Sequence, residues 1–260
     1  GLWSINGIAV DQANNRLWLT SSATPAFAGL SPADINRGAL FEYELDTLEP
    51  KGRYNVPVDG LAHELGHLAV TGKGDVYIVD WAMPIVFRKT VDGDRLEAFA
   101  GSKKLVQLTD IAVTTDSSRV FVSDAELGIL LIDPLNQASA MLGGPETLNL
   151  GGIYGLEFND SKLMVMQSGI TPQRLMRLEL DASGAAVENV SPMAIALEPF
   201  DMPGASTISN GKVYYLANQG TQSDAKKLVV MATPLDAGKN ITPPDMRQFE
   251  KALKARQQEQ

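Results

Sequence analysis

The chain has 260 residues, of which 44% are hydrophobic and 20% charged, a balance typical of a folded globular protein with a substantial core. Acidic residues outnumber basic ones by 31 to 22, and the net charge of −9 disfavours binding to nucleic acid or to anionic membranes. No apolar run reaches the roughly 20 residues of a membrane span, and the absence of cysteine excludes disulfides and thiolate metal sites.

The amino terminus reads Gly1-Leu2-Trp3, without an initiator Met. This start indicates a mature or trimmed form of a longer product. A periplasmic or secreted location is therefore favoured over a cytoplasmic one.

An apolar strand, a polar turn and a second apolar strand recur five times along the chain. The copies span residues 5–21, 65–80, 108–124, 153–167 and 203–217. Their second strands are rich in β-branched and aromatic residues, and their turns carry Asn, Gly, Asp and Ser. The copies are spaced by about 40–60 residues, which is typical of the blades of a β-propeller.

Further strands are predicted after most copies. Third strands fit residues 39–45, 85–89, 128–133, 174–180 and 228–233, and fourth strands fit 53–58, 95–100, 138–142 and 187–196. We therefore predict an all-β protein, a β-propeller over residues 1–243 with four-stranded antiparallel blades, of which five are visible. Because the last copy lacks a fourth strand, we expect a closing strand or a sixth blade before Gly1. Residues 244–260 predict a helical tail, with Met246, Phe249 and Leu253 at helical spacing.

The antiparallel blades predict two rings of side chains around one mouth of the central channel. The starts of the first strands supply Asn6, Thr109 and Tyr154, followed by His67 and Asp110, and the ends of the second strands supply Asp80, Asp124 and Gln167. Polar groups that converge at one end of an apolar ring are candidates for a binding site. The alternative for Asp80 and Asp124 is that they accept hydrogen bonds from backbone N–H groups of the following turn. The inserted loop 22–37 leaves from the same end and is a candidate lid.

Residues 63–67 form a literal HExxH motif, His63-Glu64-Leu65-Gly66-His67. On a helix this motif binds zinc through both histidines and uses the Glu as general base. The repeat instead places the second half of the motif on a strand, where the two histidines would lie about 13 Å apart. Since these are the chain's 2 histidines, a third imidazole ligand is excluded. A zinc protease is therefore a distant alternative, and we expect His63 and Glu64 at the channel mouth.

The repeat NGIAVDQANNRLWLTSS, together with residues 108–124, resembles the strand pair of the senescence-marker-protein/gluconolactonase family and of related NHL-repeat proteins. The resemblance implies a six-bladed propeller whose lactonases hold one divalent cation, calcium or zinc, through a Glu, an Asn and an Asp. Asn6 matches the family's Asn, and Asp110 lies one residue out of phase with an Asp position. The position expected to carry Asp in the second repeat is Gly66, and the family's Glu would precede Gly1.

The predicted function is binding of a small molecule or a protein partner at one mouth of the channel, without nucleic acid and without a membrane span. The alternative is a metal-dependent hydrolase of lactones or esters. In that case Asn6 and Asp110 would be metal ligands, and His63 or Glu64 would assist as a base.

Overall fold

The structure is a computed structural model that describes residues 1–25, 27–220 and 227–238. These residues form five antiparallel sheets that follow one another along the chain. Within the described ranges, the first four sheets have four strands each and the fifth has three. Each sheet is a simple meander in which neighbouring strands are consecutive in sequence. The predicted β-propeller is confirmed.

The strands of the five blades are as follows. Blade 1 contains β1 (Ser4–Asp11), β2 (Arg16–Ser22), β3 (Gly38–Glu44) and β4 (Pro50–Asn55). Blade 2 contains β5 (Leu65–Val70), β6 (Val76–Asp80), β7 (Ile85–Lys89) and β8 (Glu97–Gly101). Blade 3 contains β9 (Leu108–Val113), β10 (Val120–Asp124), β11 (Gly128–Ile132) and β12 (Ser139–Met141). Blade 4 contains β13 (Ile153–Asn159), β14 (Lys162–Gln167), β15 (Arg174–Leu180) and β16 (Val187–Ile195). Blade 5 contains β17 (Ser206–Ser209), β18 (Lys212–Leu216) and β19 (Val230–Pro234).

The turns between the first two strands of each blade have the predicted chemistry. In blade 4 the two loop residues, Asp160 and Ser161, both have positive φ, and in blade 5 Asn210 and Gly211 do the same. Consecutive positive φ values are those of the type I′ turn, which matches the right-handed twist of paired strands. Local turn chemistry therefore sets the register of the inner hairpins.

The core lies between blades. Trp18 and Leu40 of blade 1 pack with Ile78 of blade 2, and similar apolar layers join blades 2 and 3, 3 and 4, and 4 and 5. Because both faces of a central blade are covered, the second strands are mainly apolar, as in β6, whose five residues are all buried and end on a single polar residue, Asp80.

The face of blade 1 that is turned away from blade 2 is different. Ile8 and Val10 on β1 are 64% and 56% exposed, and Val230 on β19 is 62% exposed. These three residues line the same central channel. The side between blades 5 and 1 is therefore open to solvent in the described part of the chain.

The remaining predictions concern the loop and the tail. The loop after β2 contains a short 3-10 helix, Pro32–Asp34, and its base is closed by Ala23 N–H donating to the Arg37 carbonyl at 2.8 Å. The predicted helix over 244–260 lies outside the described residues. No helix in the described ranges has the length and hydropathy of a membrane span.

Candidate functional site

A β-bulge recurs at the start of the inner strand in blades 1 to 4. The register between the first two strands shifts between Ile5 and Gly7, between Leu65 and Leu68, at Thr109, and between Ile153 and Gly155. A bulge leaves one residue unpaired and redirects its side chain. The bulges fall at or beside the positions predicted to form the first ring, so they set which side chains face the mouth.

Two connected cavities lie at this end of the molecule. The mouth cavity has a volume of about 380 Å³ and is lined chiefly by Glu64, His67, Trp81, Thr109, Tyr154, Ser168 and Gln219. The channel has a volume of about 1190 Å³ and is lined by inner strands of all five blades, including Asn6, Asp110, Glu157 and Ser206. His67, Trp81, Ala205 and Gln219 border both cavities.

His67 and Asp110 form the central polar pair of the site. They occupy equivalent positions on β5 and β9, and His67 Nδ1 lies 3.0 Å from Asp110 Oδ1. Burial lowers the pKa of His67, but the Asp110 carboxylate more than offsets this, so the pKa is raised above its ordinary value. Among the described residues, the polar contact of the His67 ring is the one made by Nδ1, and Nε2 makes none. The pair therefore leaves one ring nitrogen available to a ligand.

Asp110 is itself held firmly. Its Oδ1 accepts a hydrogen bond from Ile111 N–H at 2.8 Å, and its Oδ2 accepts one from Leu156 N–H on β13 at 2.7 Å. The carboxylate thus links blades 3 and 4 while it faces His67 of blade 2. This fixes the position of the imidazole relative to the channel.

Glu157 is a site residue that the repeats did not single out. It lies on β13, lines the channel, and accepts a weak hydrogen bond from Ser206 Oγ at 3.4 Å. Burial and the nearby charge of Asp110 raise its pKa well above the ordinary value. The sequence could have indicated this residue, because the equivalent positions in blades 1 to 3 are alanines and a glutamate at the fourth breaks that pattern.

Ser168 is a second residue that the repeats did not single out. Its side chain is buried, the residue being 5% exposed, and Oγ has no hydrogen-bond partner within the described ranges. Buried hydroxyls in native proteins are nearly always hydrogen-bonded, so an unpaired one at a cavity wall is a candidate ligand contact.

Trp81 and Gln219 were also not predicted. Trp81 directly follows Asp80, and its Nε1 donates to the Thr109 carbonyl at 3.0 Å.

Four predicted residues line the cavities in other roles. Glu64 lies in the mouth, where burial and the charge of Asp80 raise the pKa of its carboxyl. Thr109 Oγ1 donates to the Ile153 carbonyl at 2.7 Å, and Asn6 Nδ2 donates to the Leu65 carbonyl at 2.9 Å, so both tie neighbouring blades together. Tyr154 lines the mouth.

Four predicted residues lie behind the cavity walls instead. His63 is buried, with Nδ1 against Asp80 Oδ2 and Nε2 3.1 Å from Asp59 Oδ1. Asp80 Oδ1 accepts backbone N–H groups of Glu64, Ala82 and Met83, and Asp124 accepts four backbone N–H groups. Gln167 Nε2 donates to the carbonyls of Asn149 and Gly151. For Asp80 and Asp124 the alternative of backbone capping is the observed one. None of these four residues lines the two cavities, and neither does any described residue of loop 22–37.

The HExxH motif does not form a zinc site of the protease type. His67 lies on strand β5, while His63 precedes the strand and is held between Asp59 and Asp80. The two imidazoles therefore have separate carboxylate partners rather than sharing one face of a helix.

The predicted divalent cation finds little support in the donor set. Asn6 and Asp110, the predicted ligands, already make the hydrogen bonds given above, and no group of three His, Cys, Asp or Glu in the described part of the chain is arranged to hold a metal ion. The residues present do not fit the cation that the resemblance implies. The cation stays a prediction for metal analysis.

Comparison with known proteins supports the fold alone. No family model matches the chain, and no curated protein matches it. Among solved structures, the nidogen/laminin complex is 16% identical, with a TM-score of 0.62 over 92% of this chain and 80% of that one. A luciferin-regenerating enzyme is 11% identical, with a TM-score of 0.59 over 90% and 92%. A protein of unknown function from Bacteroides thetaiotaomicron is 15% identical, with a TM-score of 0.57 over 90% and 62%. At these identities the comparisons show that the chain shares the β-propeller fold.

Proposed function

We propose that this protein binds a small organic molecule in the mouth cavity, with its polar end reaching the His67–Asp110 pair. The observation that carries the proposal is the mouth cavity itself, which His67 borders and Ser168 lines, and the buried Ser168 hydroxyl has no hydrogen-bond partner among the described residues. The volume of about 380 Å³ lies in the range of small-ligand pockets. Aromatic walls from Trp81 and Tyr154 beside a few polar groups are typical of such pockets.

The chain's histidines provide a direct test. Because there are 2 of them, the imidazole region of an NMR spectrum contains two sets of signals, and His67→Gln assigns them. We expect hits from a fragment library of neutral, cationic and anionic compounds to shift the His67 signals and leave those of His63 nearly unchanged. His63 is the internal control, since it is buried and lies outside both cavities.

A blocking variant completes the test. Ala205 borders both cavities, so Ala205→Phe should fill the passage and abolish the fragment-induced shifts. Unchanged His63 signals would show that this variant is folded. The proposal fails if no fragment shifts His67, or if the same fragments bind the Ala205→Phe variant equally well.

A second candidate function is hydrolysis of a small ester or lactone, favoured by the position of His67 Nδ1, 3.0 Å from Asp110 Oδ1, where the carboxylate can orient the imidazole. Neutral His67 would take a proton from water at Nε2 while the water oxygen attacks the carbonyl carbon. The protonated Nε2 then donates this proton to the leaving oxygen as the C–O bond breaks, which gives a carboxylic acid and an alcohol and restores neutral His67. The raised pKa of His67 means that the active, neutral form becomes dominant only as pH rises through that raised value.

This candidate predicts a specific kinetic pattern. Hydrolysis of δ-valerolactone should persist in excess EDTA, and His67→Gln should lower kcat by about 100-fold or more. The rate should increase with pH across the titration of His67. Loss of the activity in EDTA with recovery on adding calcium or zinc would instead support the cation-dependent lactonase that the gluconolactonase resemblance implies.

A further inference from the structure

The titratable groups of the two cavities are predominantly acidic. Glu64 lines the mouth cavity, and Asp110 and Glu157 line the channel. Among the described residues, no Lys or Arg lines either cavity. The basic side chain present, His67, already faces Asp110. The walls therefore carry three carboxyl groups against one imidazole, so a cation that favours ionisation of Glu64 and Glu157 meets more negative than positive charge.

Among the described residues, Glu64 and Glu157 form no ion pair with a basic side chain. Glu157 on β13 faces Asp110 on β9 and Ser206 on β17, and its one hydrogen bond is the 3.4 Å contact with Ser206. Burial and the negative charge of Asp80 raise the pKa of the Glu64 carboxyl. Two carboxyl groups that share a channel without a cation between them repel each other when both are ionised. A positively charged ligand between the two carboxylates would offset that repulsion.

Two further observations favour an organic ligand over a bare ion. The Ser168 hydroxyl is unpaired and buried in the mouth wall, and Trp81 and Tyr154 supply aromatic surface there. Aromatic rings attract ammonium groups through their quadrupoles and bury hydrocarbon at the same time. A metal ion gains nothing from the aromatic surface, and the described acidic side chains are not grouped as ligands.

We propose that the site selects a cationic organic ligand, a protonated amine carried on an aromatic or apolar group, with the ammonium directed toward the carboxylates and the apolar part in the mouth. This inference rests on the proposed small-molecule site and specifies its ligand class. The net charge of −9 would also attract such a ligand from solution, so its affinity should fall as salt is added.

Three probes of similar shape test the charge preference: 2-phenylethylammonium, 2-phenylethanol and 3-phenylpropionate. Titrations are followed by the His67 imidazole signals. We expect the ammonium to bind about tenfold more tightly than the alcohol, and the carboxylate to bind most weakly. The difference should shrink between about 20 and about 300 mM NaCl. The preference fails if the alcohol or the carboxylate binds as tightly as the ammonium.

Variants locate the source of the preference. Glu64→Gln and Glu157→Gln should each reduce affinity for the ammonium and leave affinity for 2-phenylethanol nearly unchanged. Glu188→Gln on β16 is the matched control, because it removes the same charge from an exposed position outside both cavities. Retention of the full preference in the double variant Glu64→Gln/Glu157→Gln would overturn the inference.

Two further outcomes are distinguishable. Displacement of the ammonium by stoichiometric calcium chloride or zinc chloride would assign the acidic channel to an inorganic ion and overturn the organic-cation inference. If fragments shift His67 but the ammonium does not, the ligand class is wrong and the small-molecule site stands. If no fragment shifts His67, the proposed function itself fails.

Discussion

His63 and His67 are four residues apart and have different surroundings. His63 is held between the carboxylates of Asp59 and Asp80 and packs edge-on against Phe87. His67 lies at the junction of the two cavities, against Asp110 and edge-on to Trp81. Both ring nitrogens of His63 lie against carboxylates, which indicates a structural role, whereas His67 borders both cavities and is the imidazole that the proposed ligand would meet.

Glu157 yields a prediction about pH. Burial and then the charge of Asp110 raise its pKa in the folded protein, so folding favours the protonated carboxyl. The contribution to stability is present in full below the unfolded pKa and is lost as pH rises toward the folded pKa. Glu157→Gln removes this titration and preserves the side-chain shape. The free energy of unfolding should therefore decline less between about pH 5 and about pH 8 in the variant than in the parent protein.

Urea denaturation across that pH range measures the effect. Glu188→Gln is the control, since its parent residue is exposed on β16. Parallel pH profiles of the parent protein and Glu157→Gln would contradict the raised pKa of Glu157 in the folded protein.

At the scale of elements, the recurring unit is an inner hairpin with a bulge at its start and a carboxylate or amide at the end of its second strand. Asp80, Asp124 and Gln167 occupy this second position in blades 2, 3 and 4 and are buried. Each satisfies backbone groups of the loop that enters or leaves the blade. These side chains fix the loops that form the mouth, and they act through the backbone rather than on a ligand.

Asp124 provides the clearest test of this role. Its Oδ1 accepts N–H groups of Glu126 and Leu127, and its Oδ2 accepts those of Val106 and Gln107. In Asp124→Asn the amide NH2 would face two of these donors. We expect a loss of about 2–4 kcal/mol in the free energy of unfolding, because buried donors lose a charged acceptor.

Chemical denaturation of Asp124→Asn beside Asp94→Asn measures this difference. Asp94 is exposed, so the control should change stability by less than about 0.5 kcal/mol. Equal stability of the two variants would show that the Asp124 hydrogen bonds contribute nothing.

At the scale of the whole molecule, a residue on the face of a blade is buried when a neighbouring blade packs against that face. Ile8 and Ile111 occupy equivalent positions on β1 and β9, yet Ile8 is 64% exposed and Ile111 is 3% exposed. Ile111 packs against blade 2, whereas the corresponding face of blade 1 is open in the described structure. Identical residues in the same position of a repeat therefore have different energetic roles.

The pair gives a matched prediction. Ile111→Ala should destabilise the protein by about 2–5 kcal/mol, as expected for a buried isoleucine. Ile8→Ala should change the free energy of unfolding by less than about 0.5 kcal/mol. Thermal and urea denaturation of the two variants measures both changes in the free energy of unfolding. A large loss in Ile8→Ala would mean that this face is covered in solution.

The sequence by itself determined the strands, their pairing within each blade and the count of repeats. These features depend on local physics: alternation and β-branching predict strands, and Asn210-Gly211 or Asp160-Ser161 predict the turns that pair them. The sequence also placed His67 and Asp110 at equivalent positions, which predicted two neighbouring side chains at one mouth.

Tertiary structure alone decided which polar residues face the cavities. Bulges at the inner strands and contacts between blades leave Asp80, Asp124, Gln167 and His63 behind the cavity walls, and they bring Glu157 and Ser168 to the cavities. The repeat pattern in the sequence does not distinguish residues that face a cavity from residues behind its wall. Strand pairing within a blade sets the direction of a side chain, but the group that this side chain contacts comes from another blade. The unpaired state of the Ser168 hydroxyl and the repulsion between Glu157 and Asp110 exist only when distant parts of the chain are packed together.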